Sequence, residues 1–227
     1  KIVRDLAVVP WSLGPKVPKN KQKFASKQNS YYLRIKYIDM NSLNENIITW
    51  NLNYKRLLCY QKTVAIYDLT YHFCNRYIGN KDRTYDQMIQ AARSGKQNIV
   101  EGYGALATSK ESGIKLFNVA RASLLELYED YNDYLRVRDM RIWEPESNEA
   151  KTMAKLGVEK NDSRYFISLA ENRSDEVVAN MTIILIRQAI SLIHRYLDRV
   201  SENFANEGGF KERMTRVRLN VRNKNNR

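Results

Sequence analysis

Histidine, cysteine and proline are scarce in this chain, and each scarcity excludes something. His72 and His194 are the only histidines in 227 residues, and Cys59 and Cys74 the only cysteines. Imidazole–thiolate metal sites need more of these ligands at closer spacing. No Glu-x-x-His element is present to build a di-metal centre inside a helical bundle. Asp68 precedes His72 by four residues, which predicts a local ion pair and no more. The two cysteines fall on one expected helix, roughly 22 Å apart at ~1.5 Å rise per residue, beyond disulfide reach. They read as buried thiols in a reducing compartment. Among the four prolines none lies between Pro18 and Pro145, and glycine occurs only nine times, so long uninterrupted helices are expected. No run of about 18 apolar residues is present, and Lys1-Ile-Val-Arg-Asp5 does not lead into a signal-peptide core, so the cytoplasm is the expected compartment. No serine or cysteine sits in a nucleophile setting, and Gly102-Tyr103-Gly104 is too short for a phosphate-cradling loop. The expectation is a protein with no catalytic residues, no metal site and no cofactor.

Basic residues, by contrast, are in excess. Lysine and arginine total 38 against 25 acidic residues, for a net charge of +13 and a pI near 9.7. Such a balance favours a polyanionic partner or an acidic surface, or serves only to keep the protein dispersed. Hydrophobic content of 43% with 11% aromatics is enough to bury a sizeable core in one domain.

The first stretch, residues 1–53, differs from the rest. Pro10, Gly14, Pro15 and Pro18 cluster there, followed by Lys19, Lys21, Lys23 and Lys27, which is linker composition. Leu33 to Tyr37 alternates apolar and basic, and Ile48, Trp50, Leu52 and Tyr54 alternate with polar residues. This segment reads either as a β-hairpin docked on the remainder or as a disordered extension.

From residue 54 to 206 the period becomes helical. A first helix is expected over about Tyr54–Ile78, with Ile66, Leu69, Phe73 and Tyr77 on one face, and Asp82 or Thr84 opens the next. Ala91, Ala92, Gly95 and Ile99 give that second helix a small face. Phe117, Ala120, Leu124, Leu127, Tyr131 and Tyr134 follow at alternating spacings of three and four, one apolar seam facing a partner helix. The glycines at 102 and 104 are expected to end the second helix, and Thr108 with Glu111 to form a capping box for the third. An insertion follows at about 139–173, with a loop anchored near Trp143, a short helix from Glu149 stopping at Gly157, and a further short helix. Ser174 then caps the longest helix, whose seam runs from Ala179 through Ile183, Ile186, Ile190, Ile193, Leu197 and Val200 to Phe204. Glycines 208 and 209 are expected to end it. The fold class is therefore all-α, an antiparallel four-helix bundle with an N-terminal extension and a basic C-terminal helix in residues 207–227. The stripe on the long helix is wide enough for both a bundle core and a subunit interface.

The segments RSGKQNIVEGYG from Arg93 and TSKESGIKLFNVARASLLELYEDY from Thr108 carry a resemblance. They resemble the four-helix-bundle family of proteins encoded in intervening sequences of large-subunit ribosomal RNA genes. That family is related to the accessory variability determinant protein of diversity-generating retroelements. The nearest pattern is a longer branch with a C-terminal suffix, here WEPE at Trp143, the helix after Ser174, and EGGFKERMTRVRLNVRN from Glu207. The resemblance spans roughly residues 54 to 223. It implies a homo-oligomer, a pentamer in the retroelement relatives, whose basic surface engages nucleic acid and a reverse transcriptase. Carried to this sequence, the implied contact positions are Arg93, Lys96 and Arg121.

Read from the residues alone, two sets of cations are candidates for nucleic-acid contact. Arg93, Lys96, Lys110, Lys115 and Arg121 lie on the central hairpin. Lys211, Arg213, Arg216, Arg218 and Arg222 lie on the last helix. With Lys224 and Arg227, the final 17 residues hold seven cations against Glu212, close to half of the chain's net charge. Such a helix neutralises backbone phosphates, and arginine grips them bidentately. Pairing with acidic residues of a neighbouring subunit, or lying on a membrane surface, are the other uses of this pattern. Glu126, Glu129, Asp130 and Asp133 read as a solvated face pairing with Arg136 and Arg138. From the residues the leading expectation is a non-catalytic protein that binds nucleic acid and keeps away from membranes. The resemblance implies an accessory protein that prefers RNA to DNA and works beside a reverse transcriptase. The alternative is a homo-oligomeric protein scaffold.

Overall fold

A computed structural model of the chain describes residues 53–79, 82–207 and 210–225, and among them the protein is all-α, with no strand. A single 3-10 turn at Asn53–Arg56 leads into α1 (Leu58–Tyr77), α2 (Arg83–Ala105) and α3 (Lys110–Arg136). Two shorter helices follow, α4 (Asn148–Glu159) and α5 (Ser163–Ala170), then the long α6 (Asp175–Glu207) and the basic α7 (Phe210–Asn225). The clustered prolines and nearly all of the expected hairpin lie outside the described residues. Its last position, Tyr54, belongs to the 3-10 turn, where its ring meets Tyr60 edge-on at 5.0 Å and Tyr103 at 6.5 Å. Those aromatic partners hold the entry to α1 away from an extended course.

Polar side chains mark the helix starts. Asp82 accepts a hydrogen bond from Thr84 N at 2.9 Å to open α2. Ser147 caps α4, and Asp162 caps α5. Ser174 Oγ accepts from Val177 N at the start of α6. The cap of α3 corrects the expectation: Ser109, not Thr108, accepts from Ser112 N at 3.1 Å. Thr108 instead donates back to Ala105 O, while Glu111 is drawn to Lys115 at 2.7 Å. No Thr108–Glu111 capping box forms.

Glycine also behaves differently from the expectation. Gly102 is buried inside α2, which continues to Ala105. A methyl group at Gly102 would meet the Phe117 ring at 2.8 Å, so this residue lets α2 and α3 approach rather than ending a helix. Nor does Gly157 stop α4. It is buried against Gln188 of α6, and its carbonyl accepts a hydrogen bond from the buried Lys62 ammonium of α1. That ammonium also donates to Lys160 O at 3.0 Å, so a lysine from α1 caps the C-terminus of α4.

The core forms where the seams meet. Ile66, Leu69 and Phe73 of α1, and Phe117, Ala120, Leu124, Leu127 and Tyr131 of α3, are fully shielded from water. Ala179, Ile186 and Ile193 of α6 join them. Each of α1, α2, α3 and α6 packs on two of the other three: α1 on α2 and α6, α3 on α2 and α6. α5 lies against α1, and α4 against α6. Phe73 is the hub of an aromatic cluster, with ring centroids at 5.0 Å from Tyr131, 4.8 Å from Tyr134 and 5.3 Å from Tyr77. The buried hydroxyls are satisfied: Tyr131 donates to Thr70 Oγ1 at 3.1 Å and Tyr134 to Asp175 at 2.9 Å. The segment before α4 is pinned by Trp143, whose backbone N–H donates to Asn180 Oδ1 at 2.7 Å.

Cys59 and Cys74 are both free and buried, as their spacing required. Asp175–Glu202 is long and apolar enough by length and composition to cross a membrane. Yet 56% of its most apolar stretch is buried inside the protein, the pattern of a core helix.

Candidate nucleic-acid interface

The five hairpin cations do not form one patch. Lys96 lies on the α1 side of α2, its ammonium 4.0 Å from the centre of the Tyr67 ring. Arg93 is exposed and three residues earlier, so it is the neighbour of Lys96 on the same helix face. Arg121 points the other way, toward α6, where Nη1 lies 3.0 Å from His194 Nε2. Lys115 is held by Glu111 on an exposed turn, and Lys110 is half-buried in the first turn of α3. The expected set is thus split between an α1-facing pair and an α6-facing arginine.

On α7, Arg218 and Arg222 are exposed and one turn apart, so they share a face. Arg216 is exposed as well, and Lys211 and Arg213 belong to the same helix. Charge on this helix is therefore at the surface where the described side chains can be followed.

The acidic cluster on α3 is only partly the solvated face expected. Asp133 pairs with Arg136 at 2.7 Å, but Arg138 stacks over the Tyr134 ring at 3.8 Å and donates to the Tyr134 carbonyl. Asp130 is half-buried, with Oδ2 shielded from water and unpaired. Burial first, and then the neighbouring Glu126 and Asp133, raise its pKa to about 6. Because the folded pKa lies above the ordinary aspartate value, the ionised carboxylate costs stability at neutral pH, and that cost disappears as pH falls through 6 toward 4. Asp130→Asn is therefore expected to stabilise the protein at pH 7.5 by about 1 kcal/mol, a figure reduced for partial exposure. Thermal melts of both proteins across pH 4–8 check this: the gain should shrink as pH drops, and a pH-independent difference would remove the electrostatic explanation.

The expected Asp68–His72 ion pair is replaced by a longer-range contact, in which Ser163 of α5 donates to Asp68 Oδ2. His72 Nε2 is shielded from water with no hydrogen-bond partner. Burial and then the charge of Arg76 lower the His72 pKa, with Glu171 opposing, which favours the neutral imidazole. Among the described residues, no three His, Cys, Asp or Glu side chains come together to hold a metal ion.

Two surface grooves were not foreseen. One, of about 450 Å³, runs between α3 and α6 and is lined by Leu125, Tyr128, Arg187, Ile190, Ser191 and His194. Its Leu125 is 46% exposed and, with Tyr128 and Ile190 among the lining, gives the groove an apolar character. The other, of about 900 Å³, lies between α1 and α5, with Tyr67, Tyr71, Arg76 and Arg164 among its walls. Residues 158–173 read as a polar stretch holding a further short helix, which forms at Ser163–Ala170, but nothing local said where it docks, and that concealed this second groove. The spacing of Tyr67 and Tyr71, one helical turn apart, was the available signal. No protein family, characterised protein or solved structure matches this chain.

Proposed function

We propose that this chain is a non-catalytic nucleic-acid-binding accessory protein whose α1, α2, α3 and α6 constitute an antiparallel four-helix bundle. The antiparallel sense is supported by pairs such as Tyr85–Asn75 and Lys96–Tyr67 between α1 and α2, and Tyr134–Asp175 and Phe117–Tyr196 between α3 and α6. The observation that carries the functional reading is the concentration of cations on α7, with Arg218 and Arg222 exposed on one face. Cations so arranged neutralise phosphates and release counterions without reading sequence. The resemblance to the ribosomal intervening-sequence and retroelement accessory proteins supports the same reading. From it come the finer proposals of RNA over DNA, a reverse transcriptase as protein partner, and a pentamer.

The bland counterpart, a homo-oligomeric scaffold without a nucleic-acid role, is favoured by one observation, the apolar α3–α6 groove around Leu125, Tyr128 and Ile190. In the leading reading that groove is the subunit interface. Fluorescence anisotropy of the folded full chain with a structured RNA and with duplex DNA at low salt decides between them. Binding that weakens steeply with salt supports the nucleic-acid reading. Absence of binding to either probe overturns it and leaves the scaffold.

A further inference from the structure

The α1–α5 groove has the composition of a platform for an unpaired nucleotide. Its volume of about 900 Å³ falls within the range of ligand clefts, roughly 300–1,000 Å³. Tyr71 is 52% exposed on its wall, which is high for an aromatic ring standing beside core residues. Tyr67 stands one turn away on the same face of α1, with the Lys96 ammonium 4.0 Å from its ring centre. Arg76 extends the same helix, and Arg164 faces it from the first turn of α5. Asp68 and Glu171 also line the groove, and Asp68 accepts a hydrogen bond from Ser163. The charged lining is therefore Arg76 and Arg164 against Asp68 and Glu171, equal in number, with the phosphate-gripping chemistry on the two arginines.

We propose that this groove holds an unpaired nucleotide of single-stranded RNA, with its base stacked on Tyr71 and its phosphates held by Arg76 and Arg164. The inference deepens the nucleic-acid reading and rests on it. Exposed tyrosine interleaved with arginine is the chemistry of single-strand recognition, because every base offers a π-face while a paired base hides it. The unpartnered nitrogen of His72, one of the groove's lining residues, supports a polar ligand over an apolar one. An apolar helix from another protein would leave Arg76, Arg164 and this nitrogen unmatched.

The test uses the full chain, a fluorescein-labelled ten-nucleotide oligouridylate, and a blunt RNA duplex of equal charge. Tyr71→Ala is expected to weaken oligouridylate binding at least about 10-fold, as the loss of one stacked base does, and to leave duplex binding unchanged. Tyr71→Phe, which keeps the ring, should bind like the parent. Arg164→Gln should weaken the single strand and flatten its salt dependence by about 0.7, one phosphate. If the chain binds RNA but Tyr71→Ala binds oligouridylate normally, the groove proposal fails and the broader reading stands. A chain that binds neither probe defeats both. Displacement of the oligomer by millimolar free uridine monophosphate would reassign the groove to a free nucleotide and overturn the RNA proposal.

Discussion

Phe73→Ala is expected to destabilise the protein by about 3–5 kcal/mol, the range for truncating a buried phenylalanine. Phe73 is fully shielded and touches three tyrosine rings, on its own helix and on α3, so its loss leaves a cavity in the core between α1 and α3. Edge-to-face contacts with Tyr131 and Tyr134 add to the burial term, because each such pair is worth about 0.5–1.5 kcal/mol beyond its area. Relaxation is limited, since Tyr131 is tethered to Thr70 and Tyr134 to Asp175. For a domain of this size the loss corresponds to a melting temperature lower by roughly 10–15 °C. Tyr71→Ala, two residues away and half-exposed, is the internal control and should stay within about 0.5 kcal/mol of the parent. A drop of less than about 3 °C for Phe73→Ala would mean that the aromatic cluster does not stabilise the core between α1 and α3.

That cluster was legible in the sequence, and the reason is periodicity. Phe117, Ala120, Leu124, Leu127 and Tyr131 repeat at three and four, and all five are fully buried. Ile66, Leu69 and Phe73 repeat likewise on α1. Periodicity names a face, but it does not name a partner distant in the chain. Lys62 would be read as a solvated cation, yet it is 1% exposed and its pKa is lowered by burial to about 8. Its partners are carbonyls at the end of α4, 95 and 98 residues away, and no local pattern announces them. The same limit misplaced the α3 cap, where Ser109 and Thr108 are equally able side chains and the tightness of the turn chooses. It also hid the split of the hairpin cations. Lys96 and Arg121 look alike in sequence, but Tyr67 draws one toward α1 and His194 the other toward α6. The α1–α5 groove depends on where α5 docks, and only the tertiary contacts of Ser163 and Phe166 fix that.

Ending the chain at Gly209 is expected to cost far more nucleic-acid affinity than any single substitution. The deleted segment carries seven cations and one acid. If four of those cations meet phosphates on duplex DNA, the slope of log K against log salt flattens by about 3.6, at about 0.9 per phosphate. At 0.1 M salt the same counterion release corresponds to an affinity loss on the order of 1,000-fold. Helices α1 to α6 lie wholly within the shortened chain, so its melting temperature and its oligomeric state should remain those of the parent. Replacing Lys211 and the arginines at 213, 216, 218 and 222 by glutamine should reproduce the loss without shortening the chain. Replacing the four arginines by lysine should preserve the slope while weakening binding, because the point charge survives and the bidentate grip does not. The scaffold reading expects the reverse: a truncated protein that changes its assembly while its weak binding of nucleic acid stays the same. Light scattering and salt titration on the same samples separate the two, since charge that serves phosphate appears in the slope and charge that serves a neighbouring subunit appears in the mass.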